Sequence, residues 1–171
     1  MNNAALKRAV IQREIDIAIA RPSLDDEELK SEPLHHEPLI LALSDTSPLL
    51  RNPPIRLAAL KGETFVLYPR KPRPSFADHI LNICRDEGFI PNSQVMAQDY
   101  QTAISLVSVG VGISVVPKSV SQSERPGVAY RSYEGRNPGT SLSLNYRRDN
   151  RMPHLFNFLK IAQTFARDKR E

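Results

Sequence analysis

Short apolar strands alternate with amphipathic helices along this 171-residue chain, and that alternation restricts the possible folds more than any other feature. Ile15–Ala20 has apolar residues at alternate positions, as in a strand with one buried face. Leu39–Leu43 and Ile113–Val116 are continuous apolar runs, typical of strands buried on both faces. Between them, Phe76–Cys84 carries apolar residues at helical spacing. The order predicts an α/β fold with mainly parallel sheets.

Three local features refine this prediction. The stretch Ser23–Glu32 is polar, and its acidic residues Asp25, Asp26, Glu27 and Glu28 predict a solvated turn. Gly110-Val111-Gly112 lies between a helical pattern and a strand, which predicts a tight helix-to-strand turn rather than a phosphate loop. Pro153 is suited to the first turn of a last helix. The inward side chains of that helix are predicted to be Leu155, Phe158, Leu159, Ala162 and Phe165.

Apolar run lengths and the cysteine count exclude several classes of protein. The longest apolar runs are far shorter than the roughly 20 residues that span a bilayer. Met1–Arg13 is amphipathic, unlike the continuous apolar stretch of a secretory signal. The single cysteine, Cys84, excludes an internal disulfide framework, and its place on an apolar helix face predicts a buried, unreactive thiol. We therefore expect a cytoplasmic protein without a membrane partner.

The formal net charge of +4 and the pI near 9.4 raise the question of nucleic-acid binding. The basic residues are scattered over predicted strands, loops and helices. The sequence has no helix-turn-helix, zinc finger or ribonucleoprotein motif, one of which specific binding normally needs. The charge is therefore interpreted as a surface bias, with a preference for small anions as the alternative.

Candidate catalytic and metal-binding groups are weak. Asp78 and His79 are neighbours on a predicted helix, so their side chains point about 100° apart and do not face each other. His35-His36 has no further metal ligand at useful spacing. We predict no catalytic residue, no metal site and no cofactor, and hence no enzyme.

Arg21 is the best candidate for binding a ligand. It ends the apolar strand Ile15–Ala20, and open α/β sheets bind ligands at the carboxyl ends of their strands. A guanidinium there can hold a carboxylate with two parallel hydrogen bonds. The alternative is a surface arginine beside the acidic turn Asp25–Glu28. Phe76, which follows the rigid proline-rich loop Pro69–Pro74, can supply an apolar wall.

Three segments together resemble the effector domain of LysR-type transcriptional regulators. They are Glu14–Pro22, Pro33–Leu43 and Val107–Pro117, the last being a helix, a Gly-x-Gly turn and a strand that ends in proline. Their order and spacing are more specific than any one of them alone. The resemblance covers nearly all of the chain.

A narrower likeness lies in Leu67–Ile83, which is similar to the catechol- and benzoate-pathway branch of that family. The branch senses muconate and related aromatic-breakdown acids. The resemblance implies a ligand pocket between two lobes of the type II periplasmic-binding-protein-like fold. It implies Arg21 as the basic anchor, with Pro74 and Phe76 lining the pocket. Tyr100 takes a lining position where the branch often has an apolar residue.

The resemblance also implies a domain organisation. Residues 1–36 and 141–171 would form the first lobe, and residues 37–140 the second. The first strand, first helix and second strand of the family's first lobe have no counterpart in the sequence. An uncovered strand edge is a template for pairing with another chain, so we expect a homodimer or a larger assembly.

The resulting functional hypothesis is an effector-sensing domain of a LysR-type bacterial regulator, which binds a small carboxylate to modulate transcription. DNA would be contacted only through an N-terminal helix-turn-helix domain that is absent from this chain. The alternative is a solute-binding protein of a transport system, which the lack of a secretory signal disfavours.

Overall fold

The computed structural model describes residues 3–71, 73 and 75–168. The chain forms two compact units, Met1–His36 with Thr140–Glu171, and Glu37–Gly139. The helices are α1 (Asn3–Ile11), α2 (Phe76–Asp86), α3 (Tyr100–Ser108) and α4 (Pro153–Asp168). The strands are β1 (Ile17–Ala20), β2 (Leu29–Glu37), β3 (Leu39–Ser44), β4 (Ile55–Arg56), β5 (Thr64–Leu67), β6 (Ser93–Met96), β7 (Ser114–Pro117), β8 (Val128–Arg131), β9 (Tyr133–Glu134) and β10 (Thr140–Arg147). Short 3-10 helices span Pro48–Arg51, Leu57–Gly62 and Lys118–Gln122.

The first unit is a three-stranded sheet in the order β1-β10-β2, with a helix on each face. β1 pairs antiparallel with β10, so that Ile17 lies opposite Tyr146. On one face, Val10 of α1 packs with Ala18 and Ala20 of β1. On the other face, the α4 residues Leu155 and Leu159 pack against Leu34, Leu144 and Tyr146.

Asp25, Glu27 and Glu28 are exposed and a turn lies at Glu27-Glu28, as predicted for the acidic residues of the polar stretch Ser23–Glu32, but buried leucines flank them. Leu24 and Leu29 are buried, and β2 begins at Leu29. The reason is the fully buried Asn145 of β10, which accepts a hydrogen bond from Leu24 N at 2.9 Å. Its amide nitrogen donates to the Ala18 carbonyl at 3.2 Å. One side chain therefore anchors this polar stretch onto the sheet.

The second unit has mixed strand pairing. β5 pairs parallel with β6, and β4 with β9, whereas β3 pairs antiparallel with both β7 and β8. The α/β class is confirmed, but parallel pairing does not dominate. Parallel neighbours such as β5 and β6 are joined by a helical crossover. β3 instead follows β2 with only Pro38 between them, and it runs against its two neighbours.

The turn at Gly110-Val111-Gly112 has the tight form predicted from the sequence. Gly110 has φ +78°, a conformation that side chains with a Cβ disfavour. At Gly112, a Cβ would meet the backbone carbonyl of Thr64. The absence of a side chain there lets Ile113 N reach Thr64 O at 2.8 Å, which joins β7 to β5.

The last helix begins at Pro153 as predicted, but two of its aromatic residues do not face inward. Leu155 and Leu159 are buried, whereas Phe158 is 43% exposed and Phe165 is 61% exposed. At 3.6 residues per turn, these two rings lie about a quarter turn away from the line of the leucines. The leucines fill the contact with the sheet, so the rings remain on the flank of the helix.

None of the helices in the described part of the chain is long and apolar enough to cross a membrane.

Candidate functional site

Three aromatic rings pack together in the second unit, and we call Tyr68, Phe76 and Tyr100 the aromatic cluster. The ring centroid of Tyr68 lies 5.5 Å from that of Phe76 and 5.0 Å from that of Tyr100. Phe76 and Tyr100 meet edge to face, with their centroids 5.8 Å apart. Such offset and edge-to-face contacts are the favoured geometries of aromatic rings. Tyr68 and Phe76 are buried in the hydrophobic core of the second unit, and Tyr100 is a partly buried ring packed against it.

Helix caps fix two of the three rings. Ser75 caps α2 by accepting a hydrogen bond from Asp78 N at 3.1 Å, and the Asp78 carboxylate returns to Ser75 N at 3.2 Å. Asp99 caps α3 by accepting a hydrogen bond from Thr102 N at 2.7 Å. Phe76 and Tyr100 are the first residues of these helices, so a capped first turn holds each ring.

A hydrogen-bonded chain orients the third ring. The Ser114 hydroxyl donates to Val66 O at 2.9 Å, which leaves its oxygen to accept a hydrogen bond from the Tyr68 hydroxyl, 3.3 Å away. Burial raises the pKa of Tyr68 well above its usual range. The phenol therefore stays neutral and acts as a donor toward Ser114.

A carboxylate already occupies the N-terminus of α2. Burial opposes ionisation of Asp78, but hydrogen bonds from Ser75 and the nearby Arg73 and Arg70 guanidinium groups bring the pKa of Asp78 below its usual value. The Asp78 carboxylate lies 3.4 Å from Arg70 Nε and 3.5 Å from Arg73 Nε. His79 turns elsewhere, and its Nε2 lies 2.7 Å from Gly139 O. Asp78 and His79 thus serve separate contacts and form no acid–base pair.

Arg21 lies in the first unit, directly after β1, and its side chain is half-buried. The Asn3 amide of α1 donates to Arg21 O at 3.2 Å and to Pro22 O at 3.3 Å, which fixes the backbone at this point. The acidic turn forms an ion pair with a residue other than Arg21, since Lys7 Nζ lies 2.6 Å from the Asp26 carboxylate. The hydrogen bond from Lys7 lowers the pKa of Asp26. This pairing weakens the alternative that Arg21 serves mainly to neutralise the acidic turn.

The structure brings only part of the predicted site together. Phe76 and Tyr100 are in contact in the second unit, whereas Arg21 belongs to the first unit. Pro74 lies outside the described residues. Tyr68, the third ring of the cluster, and its hydrogen-bond partner Ser114 were not predicted from the sequence. Tyr68 could have been suspected, because it directly follows the apolar strand β5, as Arg21 follows β1.

Among the described residues, no group of three or more histidine, cysteine, aspartate or glutamate side chains could hold a metal ion. His36 Nδ1 is instead 2.9 Å from the Ser141 hydroxyl. Cys84 is fully buried, as its helical position predicts, and burial raises the pKa of its thiol to about 11.

Comparison with known proteins agrees with this structure. Residues 1–166 match the family model of the LysR substrate binding domain. The chain is 43% identical to the HTH-type transcriptional regulator CatR of Pseudomonas putida over 118 residues, which cover 69% of this chain and 40% of CatR. It is 37% identical to TfdS of Cupriavidus pinatubonensis over 133 residues, which cover 77% of this chain and 45% of TfdS. The chain thus spans less than half the length of these relatives.

Among solved structures, the chain is similar to the BenM effector binding domain with its effector benzoate, at a TM-score of 0.86 and 25% sequence identity. That similarity covers 99% of this chain and 77% of the BenM chain. The full-length structure of CbnR with its target DNA shares the fold, at a TM-score of 0.85. The architecture is therefore that of LysR effector-binding domains, and the family indicated by the three sequence segments is confirmed: this chain belongs to the LysR substrate-binding domain family.

Proposed function

We propose that this chain is the effector-sensing domain of a bacterial transcriptional regulator and that its effector is a small carboxylate from aromatic breakdown. CatR and TfdS are HTH-type transcriptional regulators by name, and benzoate is the effector in the related BenM structure. Binding of the acid would shift the populations of two conformations, and a DNA-binding domain outside this chain would transmit the change. Such a regulator acts in the cytoplasm, where its promoter lies.

The aromatic cluster is the observation that carries this proposal. Its three rings are held by two helix caps and one hydroxyl chain. The partly buried ring of Tyr100 therefore stands on a rigid core and would need little reordering to contact a ligand. Binding sites combine apolar walls with a few polar anchors. A flat, apolar acid such as benzoate suits this cluster, because its ring can pack edge to face or offset against Tyr100, which Phe76 supports from the core.

The carboxylate of the effector needs a cation, and we assign that role to Arg21. The N-termini of α2 and α3 are unsuited to it, because Asp78 and Asp99 already cap them with negative charge. A half-buried guanidinium gives a stronger bidentate contact than an exposed one, since water screens it less. This assignment rests on the position of Arg21 after β1 and on the family. Phe76 and Tyr100 are assigned, within the second unit, to contact with the apolar part of an effector.

We propose no catalytic role, because the Asp78 and Asp99 carboxylates beside the cluster cap helices and the Ser114 hydroxyl supports the Tyr68 ring. The transport alternative loses support from the comparisons, since the curated relatives named above are regulators.

Calorimetric titration with benzoate and with cis,cis-muconate tests the proposal. Arg21→Ala should weaken binding by at least about thirtyfold, as truncation of a desolvated charge partner commonly does. Phe76→Ala should also weaken binding, whereas Arg151→Ala, an exposed arginine of the first unit, should not. Binding of neither acid by the unmodified chain, or equal binding by the Arg21→Ala and Arg151→Ala variants, would contradict the assignment.

A further inference from the structure

Residues 137–140 lead from the second unit into β10 of the first, and we call them the connecting segment. Gly139 within it is buried and has φ +67°, in the left-handed region. Glycine adopts positive and negative φ about equally readily, so contacts with other groups decide which conformation it keeps. Gly139 is therefore a residue at which the connecting segment can change its course without steric strain.

Two side chains of the second unit hold the Gly139 backbone. Asn137 Oδ1 accepts a hydrogen bond from Gly139 N at 3.2 Å. His79 Nε2 donates to Gly139 O at 2.7 Å, because a carbonyl oxygen only accepts. Asn137 belongs to the connecting segment itself, whereas His79 reaches it from helix α2. The His79 side chain therefore links the conformation at Gly139 to another part of the second unit.

His79 also lies next to the aromatic cluster. Phe76 and His79 are three residues apart on α2, so their side chains are neighbours on the helix surface. Their ring centroids are 6.2 Å apart, within the range of interacting aromatic pairs. The Phe76 ring packs in turn against Tyr100, with the centroids 5.8 Å apart. The His79 ring thus stands between the cluster and Gly139.

The other supports of the cluster end elsewhere. The Tyr68 hydroxyl leads through Ser114 to the backbone of β5. The Asp78 carboxylate returns to Ser75 N in the cap of α2. These contacts stay within the sheet and the cap, whereas the hydrogen bond from His79 ends on the connecting segment.

We propose that His79 is a positioning residue that couples the aromatic cluster to the connecting segment. A ligand that packs on Tyr100 displaces the rings behind it, because a close-packed interior has low compressibility. The movement of Phe76 shifts His79, and the hydrogen bond from Nε2 passes the shift to Gly139. The response to an effector rests on the proposed function, whereas the coupling is a property of the free chain.

Hydrogen exchange of the free chain, followed by NMR, tests the coupling without a ligand. His79→Ala should speed exchange of the Gly139 amide by about three- to tenfold relative to that of Val66, because one hydrogen bond to Gly139 is lost. Val66 N donates to Ile113 O within the sheet and reports wider opening of the unit. His79→Gln should restore the protection, since its side-chain amide can donate to the same carbonyl. His154→Ala, at an exposed histidine of the first unit, should leave it unchanged.

Tyr100→Leu measures the coupling itself, because it removes the ring and keeps an apolar side chain. With His79 present, Tyr100→Leu should change the exchange of Gly139 by at least about twofold, as expected for packed neighbours. In the His79→Ala background, the same substitution should leave Gly139 unaffected. An unchanged Gly139 amide in His79→Ala, or equal effects of Tyr100→Leu in the two backgrounds, overturns the proposal.

Benzoate connects the coupling to the proposed function. At saturating benzoate, the amide signals of Gly139 and Thr140 should shift in the unmodified chain and in His154→Ala, and the shift should be at least about twofold smaller in His79→Ala. Equal shifts in the unmodified chain and His79→Ala overturn the proposal. Loss of benzoate binding in His79→Ala also overturns it, because His79 would then be a ligand contact. Calorimetry that detects no benzoate binding to the unmodified chain contradicts the proposed function instead, and the free-chain comparison then decides the coupling.

Discussion

Asn137 and Leu39 form a reciprocal pair of hydrogen bonds: Leu39 N donates to Asn137 Oδ1 at 3.1 Å, and Asn137 Nδ2 donates to Leu39 O at 2.8 Å. Asn137 Oδ1 also accepts a hydrogen bond from Gly139 N at 3.2 Å. Leu39 begins β3 just after the chain enters the second unit, and Gly139 is the last residue before it leaves. One amide side chain therefore joins the entry and exit segments of this unit.

We expect Asn137→Ala to destabilise the second unit by about 1–3 kcal/mol, because both backbone groups of Leu39 lose their side-chain partner. Urea denaturation followed by circular dichroism measures the change. Asn92→Ala, at an exposed position of the same unit, is the matched control and should change stability by no more than about 0.5 kcal/mol. Equal midpoints for the two variants would show that the Asn137 amide contributes no net stability.

Alanine substitutions at two glycines, Gly112 and Gly62, test the close approach of β7 and β5. Gly112→Ala places a Cβ against the Thr64 carbonyl, and the backbone there has little room to shift. We expect a loss of about 1–3 kcal/mol, as for other overpacked sites. At Gly62, a Cβ meets nothing within 4 Å, so Gly62→Ala should be nearly neutral. A neutral Gly112→Ala variant would show that the turn has an alternative conformation.

The turn at Gly112 illustrates what the sequence could predict. Local signals, such as the Gly-x-Gly spacing and the apolar runs of β3 and β7, identify their elements. The conformation and burial of these elements depend on the residues within them. The burial of Leu24 and Leu29 was missed because it depends on Asn145, more than a hundred residues away in the chain.

The prediction that Phe158 and Phe165 face the sheet was wrong for a different reason. Both the buried leucines of α4 and these exposed rings recur at helical spacing, and periodicity alone does not tell which of two neighbouring stripes faces a sheet. At the candidate site, Phe76 follows a recognisable loop, whereas the support of Tyr68 by Ser114 joins two strands that are distant in sequence. The aromatic cluster as a unit was therefore beyond local pattern analysis.

Glu32 makes the stability of the first unit depend on pH. Hydrogen bonding from Tyr146, with weaker contributions from Lys30 and Gln163, holds the pKa of Glu32 below its usual value of 4.5 despite partial burial. A carboxylate with a lowered native pKa adds stability above its unfolded pKa, and that stability is lost as the pH falls through the native value. We expect the urea midpoint to fall as the pH drops below about 4.5.

Glu32→Gln should reduce this acid dependence, and Glu27→Gln, at an exposed position, should retain it. Denaturation of the three proteins between neutral and acidic pH compares the slopes. An unchanged slope in Glu32→Gln would assign the acid sensitivity to other carboxylates.

Cys84 should resist thiol reagents in the folded protein. Burial raises the pKa of its thiol to about 11, so about one molecule in a thousand carries the reactive thiolate at pH 8. We expect labelling by a chromogenic disulfide to be slow in buffer and fast in urea. Equal rates under the two conditions would mean that the α2 face opens readily around Cys84.

The hydroxyl chain beneath the aromatic cluster predicts coupling between Tyr68 and Ser114. Ser114→Ala removes the acceptor of the buried Tyr68 hydroxyl, so it should cost about 1–3 kcal/mol, whereas Tyr68→Phe removes the hydroxyl and leaves the ring in place. In the double variant the Tyr68 hydroxyl is absent, so no buried hydroxyl of Tyr68 is left without a partner. The two changes should therefore cost less together than their sum, by about 0.5–1.5 kcal/mol. Thermal and urea unfolding of the four proteins measures this coupling, and strictly additive changes would mean that the 3.3 Å contact does not orient the ring.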